Sequence, residues 1–169
     1  MQKPVPYEEA EARKFPEQVA LVIAKDAAGE YNPATVGWLM PVSMEPPMWA
    51  VCLAPVRHTL EAIRLSKEFV ISFPSEAMAE DATFYGTHSG RQMPKLKQFG
   101  SKTQPATEID GVLMADAVAS FECVLESEHA LGDCITVVGR VVASHVNEDA
   151  SLRRVYALNA NLDLGGIAP

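Results

Sequence analysis

Two long runs with β-strand patterns dominate the last part of the chain. In residues 118–126 apolar and polar residues alternate, and Cys134–Val146 is rich in β-branched residues. Leu131, Gly132 and Asp133 lie between the two runs and predict a turn. Gly139, in the middle of the second run, predicts a bulge or the close approach of a neighbouring group. These features constrain the chain to a fold built on antiparallel strands.

Shorter apolar runs earlier in the chain complete the predicted sheet. Further strands are predicted at 19–24, 35–42, 48–53 and 68–73. Short helices are predicted at 59–65, from Ser75 to Tyr85, at 92–99 and near 151–158. Turns are predicted at 32–35 and 45–47, and the prolines at 4 and 6 predict an extended N-terminal lead-in. About six or seven strands with inserted helices favour a small β-barrel over a doubly wound sheet.

Size and charge exclude several classes of protein. A chain of 169 residues can bury a core without disulfides, and we expect one domain over residues 1–169. The net charge of −8 argues against a nucleic-acid binder, which needs a basic face. No apolar run approaches the roughly 20 residues of a membrane span, and the charged N-terminus shows no signal-peptide core. We therefore expect a cytoplasmic protein without nucleic-acid or membrane partners.

The cysteines and histidines do not form a recognisable chemical motif. Three cysteines at wide spacings predict reduced, mostly buried thiols, and the spacings CxxC and HxxxH are both missing, so no metal site is expected. The four histidines are scattered and are expected to lie at the surface or to be paired with neighbours. The residues concerned are Cys52, Cys123, Cys134, His58, His88, His129 and His145.

The stretch from Asn32 to Pro47, NPATVGWLMPVSMEPP, is the first candidate for a binding site. A tryptophan and a methionine beside small residues and hydroxyls suit a flat, mostly apolar ligand with polar edges. The alternative is a buried strand with Trp38 in the core, and residue type alone favours that alternative.

Two later turns are suited to an anion. Arg57 and Thr59 stand at a predicted helix start, where free backbone N–H groups favour negative charge. The second turn, from His88 to Arg91, contains Gly90 and is followed by Lys95. Together with the aromatic stretch, these turns would suit a planar ring joined to a phosphate. A solvated helix face remains an alternative for the basic residues of this region, notably Lys97 and Lys102.

An ordered series of short motifs resembles the flavin reductase-like FMN-binding family, and its flavoredoxin-type members in particular. The series is N-x-x-T-x-x-W-x-x-P-x-S-x-x-P-P, then R-H-T-x-x-x-I, then E-F-V-I-S, then S-G-R-x-x-x-K. Glu122 with Cys123, and Gly139, continue it. No single motif is specific, but the order is, and the match covers roughly residues 16–169.

The resemblance implies a fold, a cofactor and a set of contacts. The fold would be a split β-barrel, mainly β with inserted helices, and the protein would be a homodimer with FMN at or near the subunit interface. Asn32, Thr35 and Trp38 would line the cofactor, and the segment Met40, Pro41, Val42, Ser43 would run beside the isoalloxazine ring. Arg57 and Thr59 would meet the ribityl phosphate. Ser89, Gly90, Arg91 and Lys95 would approach the phosphate or the ring edge.

The resemblance also implies a reaction that asks little of the protein. NADH or NADPH would donate hydride to FMN, and the electrons would pass to free flavin, another small molecule or a protein redox partner. No side chain is expected to act as a general acid or base, because the protein contributes by positioning the reactants and by electrostatics. Two alternatives remain open: a flavin-binding electron carrier without nicotinamide activity, and a split-barrel protein that binds a ligand without catalysis.

Overall fold

A seven-stranded antiparallel sheet is the centre of the computed structural model, which describes residues 1–167. From one edge to the other its strands run in the order β3-β2-β6-β9-β10-β5-β4. Their bounds are Ala20–Lys25 (β2), Tyr31–Val36 (β3), Leu39–Met44 (β4), Pro47–Leu53 (β5), Glu68–Pro74 (β6), Ala117–Leu131 (β9) and Cys134–Val146 (β10).

Two small sheets and four short helices surround this sheet. Glu17–Gln18 (β1), Tyr156–Ala157 (β11) and Leu164–Gly165 (β12) form a three-stranded sheet, and Thr103–Pro105 (β7) pairs with Val112–Met114 (β8). The helices are Tyr7–Glu11 (α1), His58–Ser66 (α2), Ala79–Thr87 (α3) and Lys95–Phe99 (α4), and a 3₁₀ turn spans Glu76–Met78. The prediction of a mainly β fold with inserted helices is confirmed.

The long β9–β10 hairpin has the predicted bulge. The pairing register shifts between Val138 and Gly139. A methyl group at Gly139 would lie 2.3 Å from Cζ of Phe69 and 2.9 Å from Cβ of Cys123. Gly139 therefore serves both predicted purposes, because the strand is irregular there and a core ring occupies the space beside its α-carbon.

Hydrophobic cores lie on both faces of the large sheet. One contains Val51, Phe69 and Ile71 and is covered by α2, which buries Leu60 and Ile63. The other lies under α3 and the β7–β8 pair and contains Leu21, Val70, Tyr85 and Leu113. Within residues 1–167 no helix is both long enough and apolar enough to cross a membrane.

The predicted turn at 32–35 is wrong, and the predicted strand at 35–42 is two strands. Asn32 to Thr35 lie inside β3, with Asn32 paired to Ala24 and Pro33 to Ile23. A proline is compatible with β3 because β3 is an edge strand, where a missing N–H need not be paired. The chain leaves β3 after Val36, and β4 begins at Leu39.

The ends of the chain also differ from the predictions. The predicted helix near 151–158 is wrong: Tyr156 and Ala157 form β11 and pair with Gln18 and Glu17. The predicted lead-in through Pro6 contains no helix, and the short helix α1, which was not predicted, follows it directly. The helix predicted at 92–99 begins only at Lys95, since Pro94 is its N-cap.

Candidate functional site

The two turns predicted to accept an anion lie side by side against β3. Asn32 is 3% exposed and donates a hydrogen bond from Nδ2 to Oγ1 of Thr59, the second residue of α2, over 2.7 Å. A methyl group at Gly90 would lie only 2.0 Å from Oδ1 of Asn32 and 2.8 Å from Cδ2 of His58. We call Asn32, Thr59 and Gly90 the polar junction. Only glycine fits its third position without a shift of its neighbours.

Two cations stand beside the polar junction. Lys95 is buried, and its Nζ donates to the carbonyl oxygens of Tyr85, at 3.1 Å, and His88, at 3.2 Å, near the end of α3. Burial, and then the positive charge of the nearby Arg57, lower the pKa of Lys95 to about 8. Arg57 itself is exposed at the N-cap of α2. The two side chains create a positive potential at the start of this helix.

Arg91 holds its turn against α2. Its Nη1 donates to the carbonyl oxygen of Val56 over 2.7 Å, and its Nη2 pairs with Oε1 of Glu61. The hydrogen bond from Arg91 lowers the pKa of Glu61. Ser89 is half-buried, and its Oγ accepts a hydrogen bond from the backbone N–H of Arg91 over 3.3 Å. The charge of Arg91 is therefore already paired within the chain.

Thr35 is engaged with a helix. Its hydroxyl donates to the carbonyl oxygen of Ala82 in α3, and a methyl group at Gly86 would lie 3.2 Å from its Cβ. Thr35 thus fastens β3 to α3, and the hydroxyl that we expected to line the cofactor has a protein partner.

The aromatic stretch is exposed, so the alternative of a core tryptophan is wrong for Trp38. Trp38 is 54% and Met40 59% exposed, Pro41 and Val42 are exposed as well, and Ser43 is half-buried. The core position belongs instead to Trp49, whose ring centroid lies 5.4 Å from that of Phe73.

A shallow apolar pocket of about 340 Å³ adjoins this exposed strand. Trp38 and Met40 form part of its wall, and Ala50, Cys52 and Thr136 come from the neighbouring strands. Gln18, another wall residue, donates from Nε2 to the carbonyl oxygen of Leu39 over 2.6 Å and so fixes the edge strand. The pocket offers a broad apolar surface with a few polar groups, as a planar ring requires.

Sequence reasoning missed the roles of two carboxylates, one buried and one partly buried. Glu122 is fully buried although strand alternation placed it among the polar, outward residues. Its carboxylate accepts hydrogen bonds from the backbone N–H groups of Thr107, Glu108 and Ile109 and, over 2.6 Å, from Nε2 of His145. Burial alone would raise the pKa of Glu122, but these bonds outweigh it and lower the pKa. Glu122 therefore anchors the loop that follows β7.

The second missed carboxylate is Asp26, whose Oδ2 lies 3.0 Å from Nε2 of His58. Burial opposes ionisation, but the bonds from His58 and from the backbone N–H groups of Glu30 and Ala28 lower its pKa. The R-H-T motif marked His58 in the sequence, and the aspartate of the β2–β3 turn was its unrecognised partner. His58 is thus paired, as expected of the histidines.

The cysteines are free thiols. Cys123 is fully buried, and burial followed by the charge of Glu122 raises its pKa to about 12. Within residues 1–167 no group of three or more His, Cys, Asp or Glu side chains is placed to hold a metal ion.

Residues 12–160 match the family model of the flavin reductase like domain. An uncharacterized protein of Pyrococcus abyssi is 32% identical over 80% of this chain and 77% of its own length. The actinorhodin polyketide dimerase of Streptomyces coelicolor is 32% identical over 80% of this chain and 73% of its own. The NADH-dependent FMN reductase AsuE2 of Streptomyces nodosus is 28% identical, covering 84% of this chain and 75% of its own.

Solved structures share the fold. The flavoredoxin of Desulfovibrio vulgaris superposes with a TM-score of 0.85 at 22% identity, covering 100% of this chain and 94% of that one. The NADH:FAD oxidoreductase SgcE6 of Streptomyces globisporus gives a TM-score of 0.82 at 18% identity, covering 100% and 99%.

Proposed function

This chain belongs to the flavin reductase-like family, as the ordered motifs indicated, and from that premise we propose that it is an FMN-binding oxidoreductase. Its electrons would come from NADH or NADPH and pass through the flavin to free flavin or another acceptor. The observation that carries the proposal is the exposed strand β4. Met40, and Trp38 just before the strand, line an apolar pocket there, and the chain that follows the neighbouring strand β5 leads to Arg57 at the N-cap of α2.

The residues present fit a flavin in two places. The apolar wall formed by Trp38 and Met40 suits the ring, with Pro41, Val42 and Ser43 continuing along the same strand. The exposed guanidinium of Arg57 suits the phosphate because it lies at the N-terminal end of α2, and the ammonium of Lys95, on α4, is near enough to feel its charge. When bound, FMN supplies the hydride and electron chemistry.

The polar junction has a supporting role in this proposal. Thr59 accepts from Asn32 and retains a hydroxyl proton that a phosphate oxygen can accept. Asn32, Gly90 and Arg91 hold the two turns together, and Thr35 fastens their strand to α3. Ser89 precedes Gly90 in the same turn, is half-buried and accepts from the backbone N–H of Arg91. We thus propose direct phosphate contacts for Arg57, Thr59 and Lys95, and a positioning role for Asn32, Thr35, Gly90 and Arg91.

We further propose that the chain acts as a single-domain homodimer in the cytoplasm. The edge strand β4 exposes Met40, Val42 and Met44, and Trp38, directly before it, is exposed as well. An exposed apolar edge strand in a soluble protein is expected to be covered by a partner or a ligand.

The electron carrier is the second candidate function, and the likeness to a flavoredoxin fold is the observation that favours it. A carrier would hold FMN tightly and accept electrons from a protein. A split-barrel protein that only binds a ligand is the third candidate.

Two measurements separate these candidates. Titration of the purified chain with FMN, followed by quenching of flavin fluorescence, should saturate at one FMN per chain. Oxidation of NADH or NADPH, measured by absorbance with FMN present, should then depend on the protein. Saturable FMN binding without nicotinamide oxidation would identify a carrier, and a chain that takes up no FMN would exclude both flavin functions.

A further inference from the structure

A further arginine, Arg154, lies on a different segment of the chain from Arg57 and Lys95. Arg154 follows the long hairpin and pairs with Ser75, at the end of β6, in an isolated antiparallel bridge. Within residues 1–167 its Nε and Nη2 atoms are buried and have no hydrogen-bond partner. A buried guanidinium without hydrogen bonds is unfavourable, because water has been removed and nothing replaces it.

Aromatic rings lie against this guanidinium, and its Nε and Nη2 atoms are buried without a hydrogen-bond partner among residues 1–167. The Cζ atom of Arg154 lies 4.2 Å from the ring centroid of Phe73 and 5.4 Å from that of Tyr156. Cation–π contacts of this kind act on the flat faces of the group. The N–H bonds lie in the guanidinium plane, so the rings leave them unpaired. The two rings therefore fix the orientation of the guanidinium, while its Nε and Nη2 donors remain unpaired.

Ser75 adds a hydroxyl to the same place. It is 1% exposed, and its Oγ also has no hydrogen-bond partner among the residues that the structure describes. Residues directly opposite one another in an antiparallel pair present their side chains on the same side, with Cβ atoms about 5 Å apart. The unpaired hydroxyl and the side chain that carries the unpaired guanidinium therefore lie on the same side of this bridge.

The backbone on either side of this pair is fixed. The N–H of Glu76 donates to the carbonyl oxygen of Arg153 over 2.8 Å, and the N–H of Val155 donates to that of Pro74 over 3.1 Å. The carboxylate of Glu76, the residue after Ser75, is not bonded to Arg154: its Oε2 accepts from Nε and Nη2 of Arg153, at 3.0 and 2.7 Å, and its Oε1 is buried without a partner among residues 1–167. Adjacent arginines thus differ, because the exposed one is paired and the half-buried one is not.

We propose that Arg154 and Ser75 form an oxyanion site that binds a carboxylate or phosphate group. The in-plane donors of a guanidinium match two oxygens of such a group, and the serine hydroxyl supplies a further donor. Phe73 also contacts Trp49, which pairs with Pro41 of β4. The site is thus linked through the aromatic core to the strand at which we propose the flavin ring, and suits the anionic end of a small molecule that reacts there.

The test observes the wild-type guanidinium directly and does not require a flavin. The Nε–H resonance of Arg154, assigned by its loss in Arg154→Lys, is followed by ¹⁵N NMR while sodium phosphate or sodium acetate is added at constant ionic strength. A saturable downfield shift is expected with at least one of the two anions. The Nε–H of Arg64, which is paired with Glu128 over 2.9 Å, is the matched control and should not respond.

Ser75→Ala gives the second measurement. Loss of the hydroxyl should weaken anion binding at Arg154 about three- to tenfold, since one hydrogen bond to a charged group is removed. Three results would overturn the proposal: an Arg154 resonance that does not move, a resonance that shifts no more than that of Arg64, and an unchanged affinity in Ser75→Ala. A response to phosphate alone or to acetate alone would identify which oxyanion the site takes. FMN binding is measured separately, so failure here would leave the proposed function standing.

Discussion

The polar junction and strand β4 carry the same predicted role but are built in opposite ways. The junction is polar and buried, and its members are held by contacts with one another. Strand β4 is mostly apolar, and beyond the buried Leu39 most of its side chains are exposed to a pocket or to solvent. Substitutions in the junction should therefore change stability and ligand binding together, whereas substitutions of exposed β4 side chains should change binding alone.

Gly90→Ala should have the largest effect. The added methyl group would overlap Asn32 and His58, and overpacking of this kind costs about 1–3 kcal/mol. Gly37→Ala, between β3 and β4, is the matched control, because its nearest neighbour would be a backbone oxygen of Gln18 at 3.7 Å. Urea denaturation should show a clear loss of stability for Gly90→Ala and a change within about 0.5 kcal/mol for Gly37→Ala. Equal midpoints for the two variants would contradict the close packing at Gly90.

Thr59→Val tests whether the junction couples stability to binding. It removes the acceptor of Asn32 and leaves a buried amide unpaired, which costs about 1–3 kcal/mol of unfolding free energy. FMN affinity should fall by about 1–2 kcal/mol as well, because a phosphate donor is lost. Ser43→Ala, on β4, should leave the unfolding free energy within about 0.5 kcal/mol of the wild type. Fluorescence titration measures the FMN affinity of both variants, and urea denaturation measures their unfolding free energy. A Thr59→Val protein with full FMN affinity would show that Thr59 does not bind the phosphate.

Lys95 should make ligand binding dependent on pH. Its pKa in the folded protein is about 8, below its usual value, so the side chain loses its charge as the pH rises through this value. If a bound phosphate raises this pKa by about one unit, FMN affinity should fall about tenfold as the pH rises from 7 to 10. Lys95→Met should bind FMN more weakly at pH 7 and lose this dependence. Parallel slopes for the two proteins would show that another group titrates.

The lowered pKa of Lys95 also affects the unfolding free energy, and this effect changes with pH in the opposite direction to FMN affinity. Between pH 8 and the higher pKa of the unfolded chain, the unfolded state binds more protons at this residue than the folded state. The contribution of Lys95 to unfolding free energy therefore rises with pH in this window, while FMN affinity falls. Thermal denaturation without ligand, compared between wild type and Lys95→Met, separates the two effects.

The sequence predicted most of the sheet because its signal is local. The alternation in β9 and the glycine in β10 are properties of neighbouring residues, and the strand and the bulge that they predicted are confirmed. The turn at 32–35 failed because Asn and Pro favour turns locally, whereas Asn32 gains a buried partner 27 residues away. The burial of Glu122 was missed for the same reason, since the N–H groups that stabilise its buried carboxylate come from a loop outside its strand.

For the predicted site residues, too, the sequence indicated which residues matter but not their partners on other elements. The order of the motifs brought forward Asn32, Thr59 and Gly90, which the structure places in contact. Sequence alone could not show that Arg91 is paired with Glu61 or that the hydroxyl of Thr35 is bound by α3, because both partners come from other elements. It could not decide between a core and an exposed Trp38 either, since a short apolar run is compatible with both.

Trp38→Ala should have the smallest effect of these variants. It tests most directly whether exposed side chains at β4 change binding without changing stability. The side chain is more than half exposed, so the unfolding free energy should change by no more than about 0.5 kcal/mol. FMN affinity should fall by about 0.5–1.5 kcal/mol, because an aromatic contact with the ring is lost. Tyr7→Ala, which removes another exposed aromatic side chain on α1, should change neither quantity. A loss of stability in Trp38→Ala without a loss of FMN affinity would reverse the assignment: Trp38 would then contribute to the fold or the dimer, and the flavin ring would have to contact another part of the pocket.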